Sequence, residues 1–234
     1  MYTSNVLIIL TSTVTINENK TYLTQRNAEE RASTYVRAIK QWLEQTSLKI
    51  CVVENSGYQW PELDEYKETY NDRFEIISFD EKETSPDSFG AESKGHSEML
   101  SIKTAFYNSK FKNDINFVIK ITARYFIPEF QGFLEDNRIS ERVKNIGIID
   151  EEDAIVALRQ NSEYSCEIVG IHKKFVDQMF DDNILDCWGG YHRHVEDVYR
   201  SRKMLFDKTK VLVCPVFTIE PTPTGGDSNL RVCL

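Results

Sequence analysis

The chain has 234 residues, 41% of them hydrophobic and 12% aromatic, with a formal net charge of −9. A chain of this length buries roughly 70% of its unfolded surface, so it suits one α/β domain or two small ones and is too apolar for a disordered segment. The acidic balance argues against unspecific binding to nucleic acid or to anionic membranes, while a local basic cleft for a phosphorylated ligand stays open.

Val6 to Leu10 is a continuous apolar, β-branched run ending in polar Thr11-Ser12-Thr13, the pattern of a buried parallel strand. From Asn27 to Leu43, Ala32, Tyr35, Val36, Ile39 and Leu43 recur at helical spacing among charged residues, which predicts an amphipathic helix. Leu48 to Val53 reads as a second strand running into Glu54-Asn55-Ser56-Gly57, and Phe74 to Phe79 as a third. This β-α-β order indicates a parallel sheet covered by helices. Asp80 to Gly95 has no period and is expected to be a mobile loop. A helix is expected from Ser97 to Tyr107, and a fourth strand from Phe117 to Ile121, leading into Thr122-Ala123-Arg124. Ile146 to Ile149 and Ile155 to Leu158 are expected as short strands, Phe175 to Phe180 and Val195 to Leu205 as helices, and Val211 to Ile219 as a last strand. Beyond Glu220 the text PTPTGGDS reads as a linker, so one domain is expected over 1–220 with a flexible tail over 221–234.

The five cysteines, at 51, 166, 187, 214 and 233, include no CxxC pair, and their odd number fits a reducing compartment better than a disulfide framework. MYTSNVLIIL lacks the features of a signal peptide and its apolar run is too short to span a bilayer, so a cytoplasmic protein without a membrane span is expected. The Asn19 to Thr21 sequon is then a chance match.

In an open parallel sheet, ligands bind beyond the carboxyl ends of the strands. Those ends carry Thr11, Ser12 and Thr13, then Glu54, Asn55 and Ser56, which suit a ribose or a base edge, and Arg124, whose planar fork suits phosphate oxygens. Polar residues at strand ends are also ordinary turn formers. There is no GxxxxGK[ST] loop and no GxGxxG fingerprint. Lys94 stands beside Gly95 just ahead of a predicted helix, where a helix N-terminus and a cation can hold a diphosphate, although a solvated turn accounts for it equally well.

WGGYHRHVED, from Trp188 to Asp197, concentrates two of the chain's four histidines with Glu196 and Asp197. With a helix starting near His192, His192 shares a face with Glu196, Glu196 with Arg200, and His194 with Asp197. One carboxylate can serve as general base on an acceptor hydroxyl and His194 can bind phosphate or metal; a surface salt bridge and exposed histidines are the plainer account. An HxH pair with no third ligand nearby supports zinc only weakly.

Taken in order, VLIILTSTV, VVENSG, SKGHSEM, FVIKITARYF and GGYHRHVEDVY resemble, over about residues 4 to 220, the segments of a glycosyltransferase of the GT-A nucleotide-sugar fold, and most of all the virus-encoded domains of large algal (chlorella) DNA viruses thought to decorate the capsid protein. That resemblance implies an α/β fold with a mostly parallel central sheet flanked by helices. It also implies a UDP-sugar donor, a glycan or glycoprotein acceptor, and a divalent metal, usually manganese. On this chain it implies that Thr11, Ser12, Thr13, Glu54, Asn55 and Ser56 hold the nucleotide and that Lys94, Arg124 and His194 hold the diphosphate. Asp197, with Glu196 second, becomes the acceptor-side catalytic carboxylate. The Asp-x-Asp metal motif of such enzymes is replaced by Thr122-Ala123-Arg124, which leaves the metal ligands unknown, with Asp80, Asp150 and Asp153 as candidates. A non-catalytic nucleotide-sugar or glycan binding module is the main alternative, and nucleotidylyl transfer comes third.

Overall fold

A computed structural model describes residues 4–18, 20, 23–90, 94–143, 154–162, 165–181, 194–224 and 229–234. Strands β1 (Val6–Ser12), β2 (Lys49–Glu54), β3 (Phe74–Ser78), β4 (Phe117–Thr122), β5 (Ala157–Arg159), β6 (Ile168–His172) and β7 (Val211–Val213) form one sheet in the order β3-β2-β1-β4-β6-β5-β7. Among these strands only β6 runs against the others, so the sheet is mostly parallel. Helices α1 (Ala28–Gln45), α2 (Asp64–Thr69), α3 (Glu81–Thr84), α4 (Pro86–Gly90), α5 (Lys94–Asn108), α6 (Phe130–Asp136), α7 (Ile139–Arg142), α8 (Val176–Met179) and α9 (Val195–Lys203) flank it.

The unbroken apolar run of β1 follows from its place at the centre of a three-layer stack. Val6, Ile8 and Leu10 pack with Ile39 and Trp42 of α1, while Leu7 and Ile9 face Met99 and Ile102 of α5. All five strand residues are fully buried, and each contributes about 1.5–3 kcal/mol by leaving water. Helix α1 starts where Asn27 accepts a hydrogen bond from the Glu30 amide at 3.0 Å, with Glu29 and Glu30 favourably placed in its first turn. Trp42 fixes the helix to the sheet by donating from Nε1 to the Tyr125 carbonyl at 2.9 Å.

Several expectations are corrected. Asp80 to Gly95 is not a featureless loop: α3 and α4 lie there, Asp80 caps α3 by accepting from the Lys82 amide, and α5 already begins at Lys94. The strand expected over Ile155 to Leu158 is β5, shifted and short, and Phe175 to Phe180 is only one turn of α-helix preceded by a 3₁₀ turn. Ile146 to Ile149 lies outside the described residues. Val211 to Ile219 is two strands, β7 and β8 (Thr218–Pro223), in different sheets. Residues 221–234, expected as a linker, include the end of β8 and all of β9 (Leu230–Cys233), which pair as an antiparallel ribbon. That ribbon is anchored because Phe217 and Leu234 exchange backbone hydrogen bonds at 2.8 and 2.9 Å and Phe217 packs edge-on against Phe130 and Phe133. Strand β6 had no counterpart in the sequence reading. Gly170 interrupts its apolar run, and a Cβ there would stand 2.8 Å from Phe117 Cε1 and 2.9 Å from Leu158 Cβ, so the position admits only glycine.

His172 closes β6 in a buried position, where Nδ1 accepts from the Lys174 amide at 3.3 Å. Burial, then the charges of Lys174 and Lys173, lower its pKa from 6.5 to about 4. With the folded value below the unfolded one, the unfolded chain takes up the extra proton, so this stabilising contribution is present above about pH 6.5 and is lost as pH falls toward 4. Urea denaturation across this range should show a steeper loss of stability for the wild type than for His172→Asn; parallel curves would refute the assignment.

Candidate functional site

A cavity of about 360 Å³ opens beyond the carboxyl ends of β1, β2 and β4, where a parallel sheet leaves its polar tips uncovered, and its size is that of a small-molecule site. Eight of the sequence-derived candidates line it together: Thr11, Ser12 and Thr13, Asn55 and Ser56, Lys94, Arg124, and Glu196. Glu54, His194 and Asp197 are not among its lining residues.

The tips of β1 and β2 are tied into one rigid wall. Ser12 Oγ donates to the Val53 carbonyl at 2.8 Å, Thr13 Oγ1 to Asn55 Oδ1 at 2.7 Å, and Asn55 Nδ2 to Glu81 Oε2 at 2.6 Å. Glu81 accepts a further bond from Ser97 Oγ at 2.7 Å, which joins α3 to α5. Glu54 braces the wall from behind: fully buried, it accepts from the amides of Val14, Ser56 and Tyr58 at 2.8–2.9 Å and from the Ser56 hydroxyl. Burial raises the Glu54 pKa, and these bonds pull it back down. Glu54 thus shapes the loops around the cavity without facing it. Gly57, at φ 81°, completes the turn that lets the Ser56 and Tyr58 amides reach one carboxylate.

Arg124 forms the charged end. The Ala123 amide donates to the Thr11 carbonyl at 3.0 Å and the Tyr125 amide to the Thr122 carbonyl at 3.1 Å, fixing the turn that carries Arg124 beside the tip of β1. The side chain is only 8% exposed. Its guanidinium carbon lies 6.0 Å from the Tyr35 ring centre and 5.9 Å from that of Tyr125. Nη1 reaches the Pro223 carbonyl at a long 3.5 Å, and Nε is buried with no hydrogen-bond partner among the described residues. A second guanidinium stands near. Arg31 donates to the Thr13 carbonyl at 2.7 Å, to the Tyr35 hydroxyl at 2.6 Å and to the Gln25 carbonyl at 3.1 Å. Burial, with Arg124 adding to it, lowers the Arg31 pKa. Lys94 is likewise lowered, first by burial and then by Arg124, while Glu196 opposes the shift. The cavity lining thus brings Lys20, Arg31, Lys94, Arg124 and Arg231 together with the carboxylates Glu81, Glu98, Glu167 and Glu196.

Sequence reasoning passed over Arg31, Tyr35, Glu98, Cys166 and Arg231, all of which line the cavity. Arg31 was legible in part, since it precedes Tyr35 by four residues and so shares its helical face. The others gave no local signal.

Helix α9 begins at Val195, with His194 exposed at its N-cap and giving no side-chain cap. His192, Trp188 and Tyr191 lie outside the described residues, so the pairing of His192 with Glu196 falls outside the described structure. Asp197 is bound on the helix surface to Arg200 at 3.3 Å, the partner the sequence had suggested for Glu196. Glu196 instead faces inward and accepts from Cys166 Sγ at 3.4 Å. Beneath it, the fully buried Lys120 of β4 binds Glu98 Oε2 at 2.9 Å and the Cys166 carbonyl at 2.7 Å, and Tyr199 donates to Glu98 Oε1 at 3.2 Å. Burial works against the Lys120 charge, but Glu98 and the neighbouring groups outweigh it and hold the pKa above the usual lysine value.

The described residues do not compose a site for the expected divalent cation. Among the described residues no three His, Cys, Asp or Glu side chains converge. Asp80 is occupied as a helix cap, Asp150 and Asp153 lie outside the described residues, and a guanidinium stands after β4 where oxygen ligands would be needed.

No protein-family model matches the chain, and no curated protein matches it. Among solved structures it is similar to a protein from Desulfovibrio desulfuricans G20 described as a nucleotide-diphospho-sugar transferase, at 14% identity and a TM-score of 0.48 over 91% of this chain and 80% of that one. It is also similar to the galactosyltransferase LgtC in complex with donor and acceptor sugar analogues, at 10% identity and a TM-score of 0.46 over 89% and 73% of the two chains. S. aureus TarS 1-349 gives 10% identity and a TM-score of 0.46 over 90% of this chain and 58% of its own. With TM-scores under 0.5 these are distant likenesses, and the cavity carries the functional reading. No helix among the described residues is long and apolar enough to cross a membrane.

Removing one partner of a buried ion pair strands the other charge. Glu98→Gln strands the fully buried Lys120 charge and should destabilise the protein by about 3 kcal/mol in urea titrations, whereas Lys120→Met leaves Glu98, whose side chain is 21% exposed, within reach of water and should cost clearly less; equal losses would contradict this difference in burial.

Proposed function

We infer that the protein is a glycosyltransferase that moves a sugar from a UDP-sugar donor to a glycan or glycoprotein acceptor. One observation carries this reading: a nine-tenths buried arginine with an unsatisfied nitrogen lines the cavity at the carboxyl ends of the sheet together with a wall of hydroxyls and an amide. A buried donor of that kind calls for an anionic oxygen. The neutral wall from Thr11 to Thr13 with Asn55 and Ser56 suits the nucleoside, and Arg124 with Lys94 suits its diphosphate.

The chemistry follows from these places. The bond between the anomeric carbon and the diphosphate oxygen breaks, leaving its electron pair on the diphosphate. The acceptor oxygen bonds to that carbon and its proton leaves. Arg124 and Lys94 stabilise the charge that develops on the leaving group. Glu196, the α9 carboxylate on the cavity, takes the acceptor proton when configuration inverts, or steadies positive charge on the sugar when it is retained. Asp197 and His194, off the cavity, take no part in this scheme. The resemblance to algal-virus enzymes makes a capsid glycoprotein glycan one acceptor to assay.

Titration with UDP, CDP and GDP, followed by donor hydrolysis assays, tests the reading. UDP should bind, and Arg124→Ala should weaken it by about 1.5–3 kcal/mol; unchanged affinity would remove Arg124 from the site. Glu196→Gln should leave UDP affinity intact and slow transfer by roughly 10²-fold or more. Tight UDP binding without hydrolysis or transfer by the wild type would mean a binding module instead.

A further inference from the structure

Resting on that reading, we propose that this transferase works without a divalent cation, the leaving diphosphate being neutralised by protein cations alone. The carboxylates around the cavity are already committed. Glu81 accepts from Asn55 and Ser97, Glu98 is ion-paired with Lys120, and Glu167 is ion-paired with Arg231. Glu196 faces the cavity and is held by the Cys166 thiol. A hard cation wants several oxygens of this kind converging on one point. Here the position after β4 instead holds Arg124, which lines the cavity, mounted by the Ala123 and Tyr125 backbone bonds, with its buried Nε lacking a partner among the described residues. Arg31 and Lys94 add charge of the same sign close by. A divalent ion placed beside Arg124 meets repulsion from that guanidinium and its cationic neighbours, offset in part by Glu196 beside Lys94, whereas a diphosphate there is attracted by the same cations. Arg124, Lys94 and the diphosphate oxygens thus form the neutralising cluster, with no electron or proton transfer required of it.

The test is isothermal titration of the chelator-stripped full chain with UDP, CDP and GDP, each in EDTA and again with excess Mn²⁺ or Mg²⁺, alongside donor hydrolysis under the same conditions. The diphosphate that binds should do so with an affinity unchanged within about twofold by the metals, and hydrolysis in EDTA should persist. Arg124→Ala should lose about tenfold or more in affinity in EDTA, and Mn²⁺ should not restore it. Arg124→Lys keeps the charge and should lose less, which guards against a folding defect. A tenfold or greater gain in affinity or hydrolysis on adding metal would overturn the inference while leaving the transferase reading standing. Failure of all three diphosphates to bind with or without metal would overturn both.

Discussion

A guanidinium drawn out of water at the end of a central strand costs several kcal/mol unless other groups replace its hydration. At Arg124 the replacement is incomplete: two tyrosine faces and one long contact to the Pro223 carbonyl lie near, and Nε lacks a partner among the described residues. The surrounding structure holds the side chain there nonetheless. The β1 register that places Thr11 opposite Thr122, and the Ala123 amide bond to Thr11, leave the side chain no route except toward the cavity. The chain stores a preorganised electrostatic demand at this point, which is how a site stabilises charge without reorganising when it appears.

The neighbouring groups make sense as ways of tolerating that demand. Arg31 spends its donors on backbone and tyrosine oxygens, so it braces the Thr13 wall while adding field. Lys120 and Glu98 neutralise each other under the floor, which lets a charged strand interior coexist with the apolar layer of Val118, Met99 and Ile102. Glu54 does the same for loop geometry, collecting three amides on one carboxylate. The rigid wall and the floor are therefore products of buried polar groups finding partners, and Arg124 Nε is the exception at the cationic end.

The central sheet was legible because β1, β2 and β4 are buried on both faces and read as apolar runs, and α1 because its buried stripe has helical period. The carboxyl-end rule then located the cavity, since Thr11 to Thr13, Asn55, Ser56 and Arg124 follow strands directly. Long-range partners were not legible. Nothing local in Cys166 or Glu167 announces that they meet Glu196 and Arg231. Strand β6 was hidden by Gly170, whose lack of a side chain is a requirement of packing against Phe117 rather than a sign of a loop. Short polar stretches misled in both directions: Asp80 to Gly90 forms two short helices, the first capped by Asp80, and the Pro- and Thr-rich end pairs as a two-stranded ribbon, whose strands have open edges where a proline's missing donor is harmless. In WGGYHRHVED the helix begins at Val195, as the expected helix over Val195 to Leu205 had it and not near His192, and on it Glu196 points inward to Cys166 while Asp197 pairs with Arg200 on the surface.

That ribbon bears on how the site comes into being. Thr224 and Arg231 border the cavity, and Arg231 is held there by its ion pair with Glu167, while Glu220 ties the ribbon back to α1 through Gln41 at 2.9 Å. The lining is thus drawn from Thr11 near one end of the chain to Arg231 near the other. Contacts of such sequence separation form only after much loop-closure entropy has been spent, so no short segment can carry a partial version of the cavity.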